Sequence, residues 1–323
     1  MLAGDNAGTR RTNAGAMSVR AALKTKVRQL QNNSLTSILR KLRFWASFYH
    51  TSRERLNLKH VSVGSFQFVV PCNEDIGRTL RYLRAFEPEE TRYLGCQLKP
   101  NDICCDVGAN IGYHTILIAD IVRDGKVHAF EPDPLCHALL QLNVQLNRLE
   151  NVIVNRLALG KERGRSDFIR CADGGFNSIR DTGRSVVSSV IEVPVDTLDN
   201  YAAGQAIPRI DFLKVDVEGA EGLVLEGAQG LLNDHSRRPR LLMVELFEQN
   251  HKAFGDSPGE IVEHLRRSEY DPFLLSDNQR VPYSDEFQDR SPNVFFSCAQ
   301  SGALSSTHHR AEEDRTTVSR MAV

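Results

Sequence analysis

The chain has 323 residues, 41% hydrophobic and 25% charged, a composition that excludes a disordered chain and a membrane-embedded one. The net charge of −1 is unevenly spread: residues 1–60 hold 12 Lys/Arg against 2 Asp/Glu, and residues 61–298 hold 25 against 36. So acidic a main body argues against a nucleic-acid partner, because phosphate contact needs clustered bases.

Residues 1–18 are small and polar and are expected to be disordered. From Val19 to Tyr49, Leu23, Val27, Leu30, Ile38, Leu42 and Trp45 recur at helical spacing among Lys and Arg. The pattern predicts a basic amphipathic extension over residues 19–60 that packs on the main domain or on a partner subunit. Peripheral contact of residues 19–49 with an anionic membrane surface is an alternative, and an organelle-targeting presequence is another. No run of about 18 apolar residues occurs and no apolar signal core opens the chain, so a cytoplasmic protein is expected. The seven cysteines include no C-x-x-C pair, which predicts reduced thiols and neither a disulfide frame nor a zinc site.

The main domain is expected over residues 61–298. Val61–Pro71 alternates like a strand or hairpin, and Pro88–Leu98 reads as a helix. Then strands and helices alternate: strand Ile103–Val107, helix Ile111–Val122, strand Val127–Phe130, helix Pro134–Asn147, strand Val152–Leu157. Leu159–Val190 is polar and Gly-rich, predicted irregular apart from Ser166–Arg170, and a strand follows at Val190–Val195. Strand Ile210–Val215, helix Glu221–Leu232, strand Leu241–Leu246, helix Pro258–Arg267 and closing strands Pro272–Leu275 and Val294–Ser297 complete the domain. Residues 299–323 read as a disordered tail. Such alternation implies a mostly parallel sheet covered by helices on both faces.

DICCDVGANIG, Asp102–Gly112, reads as a buried strand that turns on glycines into a helix. KVHAFEPD, Lys126–Asp133, reads as the next strand, ending in Glu131, whose carboxylate can take both hydroxyls of a ribose. Gly108 and Gly112 let the backbone approach a ligand where a Cβ would clash. Together these describe a pocket for an adenosine-containing cofactor. A nicotinamide dinucleotide wants a second glycine where Asn110 stands, and Asp106 would repel its pyrophosphate. The same acid suits the ammonium of an amino-acid moiety, so S-adenosylmethionine is favoured over NAD.

In IDFLKVDVEGAE, Ile210–Glu221, Asp216 ends a strand, Glu218 lies in the turn and Glu221 opens a helix. Ligands in open α/β sheets bind at the carboxyl ends of strands. Asp106, Glu131, Asp216, Glu218 and Glu245 are therefore expected along one edge. Acids at helix N-termini also stabilise the dipole, the favoured reading for Glu221. His114 can face the cofactor or the substrate, or be a structural histidine. Asn177 and Ser178 can reach over the pocket as a lid, or form a solvated loop.

DVGANIGYHT, GKVHAFEPDP, LLQLNVQLNR, VDTLDNY, IDFLKVDVEGAEGLVLEGAQGLL and RPRLLMVELF occur in order. Together they resemble the FkbM family of S-adenosylmethionine-dependent methyltransferases over about Glu87–Phe247. The resemblance implies a class I methyltransferase fold, Rossmann-like, with a seven-stranded sheet whose last strand is antiparallel. It implies O-methylation of a small-molecule hydroxyl, on a sugar, glycolipid or polyketide. By this resemblance Asp106, Gly108, Asn110 and Gly112 form the cofactor turn and Glu131 binds the ribose. Lys214, Asp216, Glu218 and Glu221 match the family's K-x-D-x-E-G-x-E segment. The acid that many class I enzymes place after the third strand is replaced by Arg156-Leu157-Ala158, so no adenine contact is assigned.

The expected catalytic candidates are Asp216, Glu218 and His114, any of which can take a proton from an alcohol. Asp216 is also expected at the cofactor. Asp216, Glu218 and Glu245 are oxygen donors suited to magnesium, but no tight ligand spacing is visible and no metal is expected. The alternatives are an NAD-dependent oxidoreductase and a cofactor-binding module without catalysis.

Overall fold

The central strands have no polar face: consecutive side chains must all be buried, which a sheet achieves only when both faces are covered. In the computed structural model, which describes residues 57–284 and 293–298, Phe212, Leu241, Met243 and Cys104 pack on one side of the sheet. Their neighbours Leu213, Leu242, Val244 and Cys105 pack on the other.

A hairpin of β1 (Leu58–Val63) and β2 (Phe66–Pro71) comes first, followed by α1 (Asp75–Tyr82) and α2 (Pro88–Gln97). Then come β3 (Ile103–Val107), α3 (Tyr113–Ile121), β4 (Lys126–Phe130), α4 (Pro134–Leu146) and β5 (Val152–Asn155). An insert follows, with β6 (Ala158–Leu159), β7 (Gly164–Cys171), a 3₁₀ turn at Gly174–Phe176 and β8 (Val187–Asp196). The second half holds α5 (Leu198–Gly204), β9 (Phe212–Val215), α6 (Glu221–Glu226), α7 (Gln229–Asn233) and β10 (Leu241–Glu245). It closes with α8 (Glu248–Phe254), α9 (Pro258–Arg267), β11 (Tyr270–Ser276), β12 (Gln279–Pro282) and β13 (Asn293–Cys298).

The main sheet runs β12-β11-β13-β10-β9-β3-β4-β5. From β10 to β5 every pairing is parallel, and β13 is antiparallel to both neighbours. The topology is that of the expected class I sheet, with eight strands instead of seven because β12 adds a short hairpin at one edge. The expectations for residues 1–18, for 19–56 and for 299–323 lie outside the described residues. Strand β1 begins at Leu58, inside the range expected for the basic extension. Among the described residues no helix is long and apolar enough to cross a membrane, and all seven cysteines are free thiols.

Three other differences have local causes. The insert is strand-rich: β7 and β8 pair antiparallel, with Phe168 opposite Ile191, and bury Phe168 and Val193 against Ala158. The sequence signalled the middles of both, Ser166–Arg170 and Val190–Val195, but not their polar ends, which only cross-strand partners make into strand. The helix expected over Glu221–Leu232 breaks at Gly227-Ala228, because Asp199 accepts hydrogen bonds from the amides of Gly230 (2.7 Å) and Leu231 (2.8 Å) and starts a new helix there. Helices α1, α5 and α8 are too short for a periodic signal. Asn143 and Asn147, one turn apart on α4, hold the hairpin. Asn143 accepts from the Val69 amide (2.7 Å) and donates to its carbonyl (3.2 Å); Asn147 does the same with Gln67 (2.8 and 2.7 Å).

Candidate functional site

The carboxyl ends of β3, β4, β9 and β10 open onto one cavity of about 260 Å³, whose wall includes Asp106, Asn110, Glu131, Asp216, Glu218 and Glu245. Sequence order and the parallel register dictate this: acids that end neighbouring parallel strands must share an edge.

The turn after β3 is tied to its neighbours on both sides. The Gly108 and Ala109 amides donate to the Phe130 carbonyl (3.1 and 3.0 Å), and the Asp216 amide donates to the Val107 carbonyl (3.0 Å). Gly108 has φ +82°, and a Cβ there would run into the backbone carbonyl oxygen of Asp216. Gly108 also lines the cavity, and the space its missing Cβ leaves is taken by the residue that follows β9. Gly112, at φ +89°, clears space for the Leu140 side chain. Asn110, at φ +48°, donates its amide to Glu131 Oε2 (2.8 Å), while Glu131 Oε1 accepts from the Asp133 amide (2.8 Å). Glu131 is thus held between two backbone donors, each oxygen keeping capacity for another.

Asp106 is fully buried. Its Oδ2 accepts from Thr115 Oγ1 (2.5 Å), and its Oδ1 has no hydrogen-bond partner, with Lys214 Nζ 3.8 Å away. Lys214 itself donates to Asp216 Oδ2 (2.7 Å). Burial alone would pull the Lys214 ammonium down, but Asp216, Asp106 and Glu87 reverse this and hold it above its ordinary range. His114 lines the cavity with its Nε2 3.2 Å from Glu87 Oε2.

Glu218 sits at φ +56°, costly for a residue with a side chain, and is over-determined by its contacts. Its Oε2 accepts from Arg184 Nη1 (2.6 Å) and Asn250 Nδ2 (2.8 Å), and its carbonyl accepts from Ser178 Oγ (2.9 Å). Arg184 lies 4.5 Å from the ring centres of both Phe176 and Phe247. Ser178 therefore latches the insert to the β9 turn, and Asn177 lines the cavity while accepting from the Cys171 amide (2.8 Å). Glu221 is outside the cavity wall. Its Oε1 accepts from the Val217 and Gly219 amides (2.9 and 3.2 Å), which precede α6, so it pins the turn after β9 and does not cap the helix as expected.

Sequence reasoning missed Glu87, Arg184 and Phe168. Phe168 and Pro132 supply an apolar wall beside Glu131, the part of the pocket for which no motif exists. Only the hydrophobic beat of Phe168 against Ile191 and Val193 could have signalled it.

The cavity wall carries eight carboxylates against two permanent cations, Lys214 and Arg184. Burial pushes the Glu131 carboxyl up to about 8, helped by Asp133, and the Glu218 carboxyl up to about 8, helped by Asp216. A carboxyl with a higher pKa in the fold than in the unfolded chain contributes stability that is full below about 4.5 and is lost as pH rises through 8. The melting temperature of the ligand-free protein should therefore fall by at least about 4 °C between pH 6 and pH 8.5. A flat or rising profile in scanning calorimetry would show that these groups ionise without penalty.

The excess of carboxylates fits a cationic ligand and opposes a pyrophosphate. Asp106 Oδ1 and Asn110 Oδ1, buried without partners in this wall, remain to be satisfied. Asp216, Glu218 and Glu245 bring oxygens within 4.8 Å of one another. Lys214 and Arg184 already supply positive charge to the first two.

A family model described as "Methyltransferase FkbM domain" matches residues 106–272. The chain is 29% identical over 204 residues to the 31-O-demethyl-FK506 methyltransferase FkbM of Streptomyces tacrolimicus, covering 53% of this chain and 71% of that one. It is 28% identical over 195 residues to the hexuronic acid methyltransferase AglP of Haloferax volcanii, covering 59% and 76%. The solved structure of methyltransferase FkbM from Methylobacillus flagellatus KT aligns with a TM-score of 0.41 at 14% identity, covering 88% of this chain and 60% of that one.

Proposed function

Since the chain belongs to the FkbM methyltransferase family, whose domain spans more than half of it, we propose that the cavity binds S-adenosylmethionine beside a small-molecule alcohol and that the enzyme methylates the alcohol oxygen. The observation that carries this reading is the carboxylate-lined cavity at the strand ends, with Glu131 fixed by two amides and Asp106 Oδ1 unpartnered. In this reading Glu131 takes the ribose hydroxyls, Phe168 and Pro132 cover the adenine, and Asp106 faces the ammonium. Gly108, Asn110 and Gly112 shape the turn that brings the backbone to the donor. Asp216 stands between donor and acceptor, and Glu218 and His114 border the acceptor.

The donor supplies a methyl group already activated on a sulfonium sulfur. The protein's task is then to place the acceptor oxygen in line and to take its proton. The names of relatives that act on 31-O-demethyl-FK506 and on a hexuronic acid support oxygen as the acceptor atom and a secondary metabolite or sugar as its carrier.

Calorimetric titration with S-adenosylhomocysteine and with NADH tests the cofactor. Methyl-labelled S-adenosylmethionine offered with a panel of uronic acids, glycosides and macrolide alcohols tests the transfer. Binding of S-adenosylhomocysteine alone, with label recovered on an acceptor oxygen, is the expected result. Binding of NADH instead would make the protein an oxidoreductase. Donor binding without transfer to any of these acceptors would favour an inert module.

Transfer should also survive dialysis against EDTA. Lys214 and Arg184 already neutralise two of the three clustered carboxylates, so a divalent ion has little charge left to balance. Loss of transfer on chelation, restored by magnesium, would place a cation at Asp216, Glu218 and Glu245.

A further inference from the structure

The acceptor side of the cavity holds more acids than the reaction needs, and their partners differ. Asp216 Oδ2 is engaged by Lys214 at 2.7 Å. Glu218 Oε2 is engaged by Arg184 at 2.6 Å and by Asn250 at 2.8 Å. His114 Nε2 faces Glu87 at 3.2 Å. Glu245 differs from all of these: among the described residues its Oε2, shut from solvent within the same wall, has no hydrogen-bond partner and no cation in ion-pair range, whereas Glu87 Oε2 and His114 Nε2, also without hydrogen bonds, face each other. Its position is also well fixed. It is the last residue of β10, whose first four residues are buried between β9 and β13, and it pairs with Asn293.

We propose that Glu245 is the group that takes the proton of the acceptor hydroxyl. This rests on the methyl-transfer reading above and assigns the proton to a residue other than Asp216, Glu218 or His114. In the step, the acceptor oxygen forms its bond to the methyl carbon as the carbon–sulfur bond breaks. The bonding pair stays on sulfur, and the O–H proton passes to the Glu245 carboxylate. One cation and one anion disappear together, so the buried cavity ends the step with no new charge. A pair of opposite charges is removed where separating them would be costly.

The groups facing Glu245 fix when it can act. Asp216 and Glu218 lie beside it at the end of β9, Glu221 at the start of α6 and Glu87 at the start of α2. Burial and these four acids push its carboxyl well above the ordinary range, although Lys214 and Arg184 stand in the same wall. Without a bound cation Glu245 therefore keeps its proton. Entry of the sulfonium favours the carboxylate and must release that proton before transfer can occur.

The full-length protein is titrated with S-adenosylmethionine at pH 7 in two buffers of different ionisation enthalpy, which counts the protons released. Wild type should release about one proton more than Glu245→Gln, which should bind the donor within about tenfold of wild type. Transfer of label to the acceptor identified from the panel should fall by about 10²–10⁴ in Glu245→Gln and recover in part in Glu245→Asp, with a shifted pH profile. The assignment is overturned by equal proton release from wild type and Glu245→Gln, or by undiminished transfer in Glu245→Gln. A wild-type pH profile in Glu245→Asp overturns it too, and this variant decides the matter if the glutamine variant does not fold. A wild type that binds neither S-adenosylmethionine nor S-adenosylhomocysteine overturns the methyl-transfer reading and this assignment with it.

Discussion

Gly108→Ala should leave little folded enzyme. The added methyl group would occupy the space of the Asp216 carbonyl oxygen, a backbone atom that cannot swing aside, at a φ of +82° that already disfavours any side chain. Relief requires the ends of β3 and β9 to separate, which breaks the bond from the Asp216 amide to the Val107 carbonyl. A loss above about 4 kcal/mol is expected, in the range of backbone collisions rather than of ordinary surface changes. Chemical denaturation reads it, and S-adenosylhomocysteine affinity should vanish with the fold. Gly112→Ala makes the comparison: it meets the same backbone strain at φ +89°, but its methyl would press on the side chain of Leu140, which can shift, and about 2–3 kcal/mol is expected. Near wild-type stability for Gly108→Ala would mean that the turn can move away from β9.

Glu131→Ala should preserve the sheet and weaken S-adenosylhomocysteine binding by roughly tenfold to a few hundredfold. Charge-assisted hydrogen bonds to a ribose are worth roughly 1.5–3 kcal/mol each. The same carboxylate also pins the Asn110 and Asp133 amides, so the turn that meets the donor loosens with it. Calorimetry giving wild-type affinity would move the ribose elsewhere in the cavity. The variant should meanwhile lose the part of the alkaline destabilisation that Glu131 contributes, because its buried carboxyl no longer has to ionise.

The acid edge of this cavity was legible in the sequence because it is built from strand ends. Asp106, Glu131, Asp216 and Glu245 each close an apolar run, and a parallel sheet aligns such residues whatever happens elsewhere. What the letters could not carry was pairing. Asp216 and Glu245 look alike as acids after buried strands, yet one is bound to Lys214 and the other has an oxygen without a partner. Nor could they show that Arg184, from a stretch that reads as a polar loop, lies between Phe176 and Phe247 and holds Glu218. Strand β7 of the same insert brings Phe168 into the cavity wall. In the insert only the middles of β7 and β8 were legible, because its strands bury little and their ends depend on a partner farther along the chain.

The asparagine pair on α4 has a meaning for how the molecule keeps to itself. Towards β2 each carboxamide presents one N–H donor and its oxygen as acceptor, as a residue of a neighbouring strand would, while its second N–H goes to the carbonyl of Ile111 or of Asn143. Gln67 and Val69 are two residues apart on an extended chain, roughly 7 Å, and Asn143 and Asn147 are about one helical turn apart, roughly 6 Å. A helix thus impersonates the next strand of a ladder: the outward groups of Gln67 and Val69 are answered within the chain, and a stray strand from another molecule finds those docking points taken.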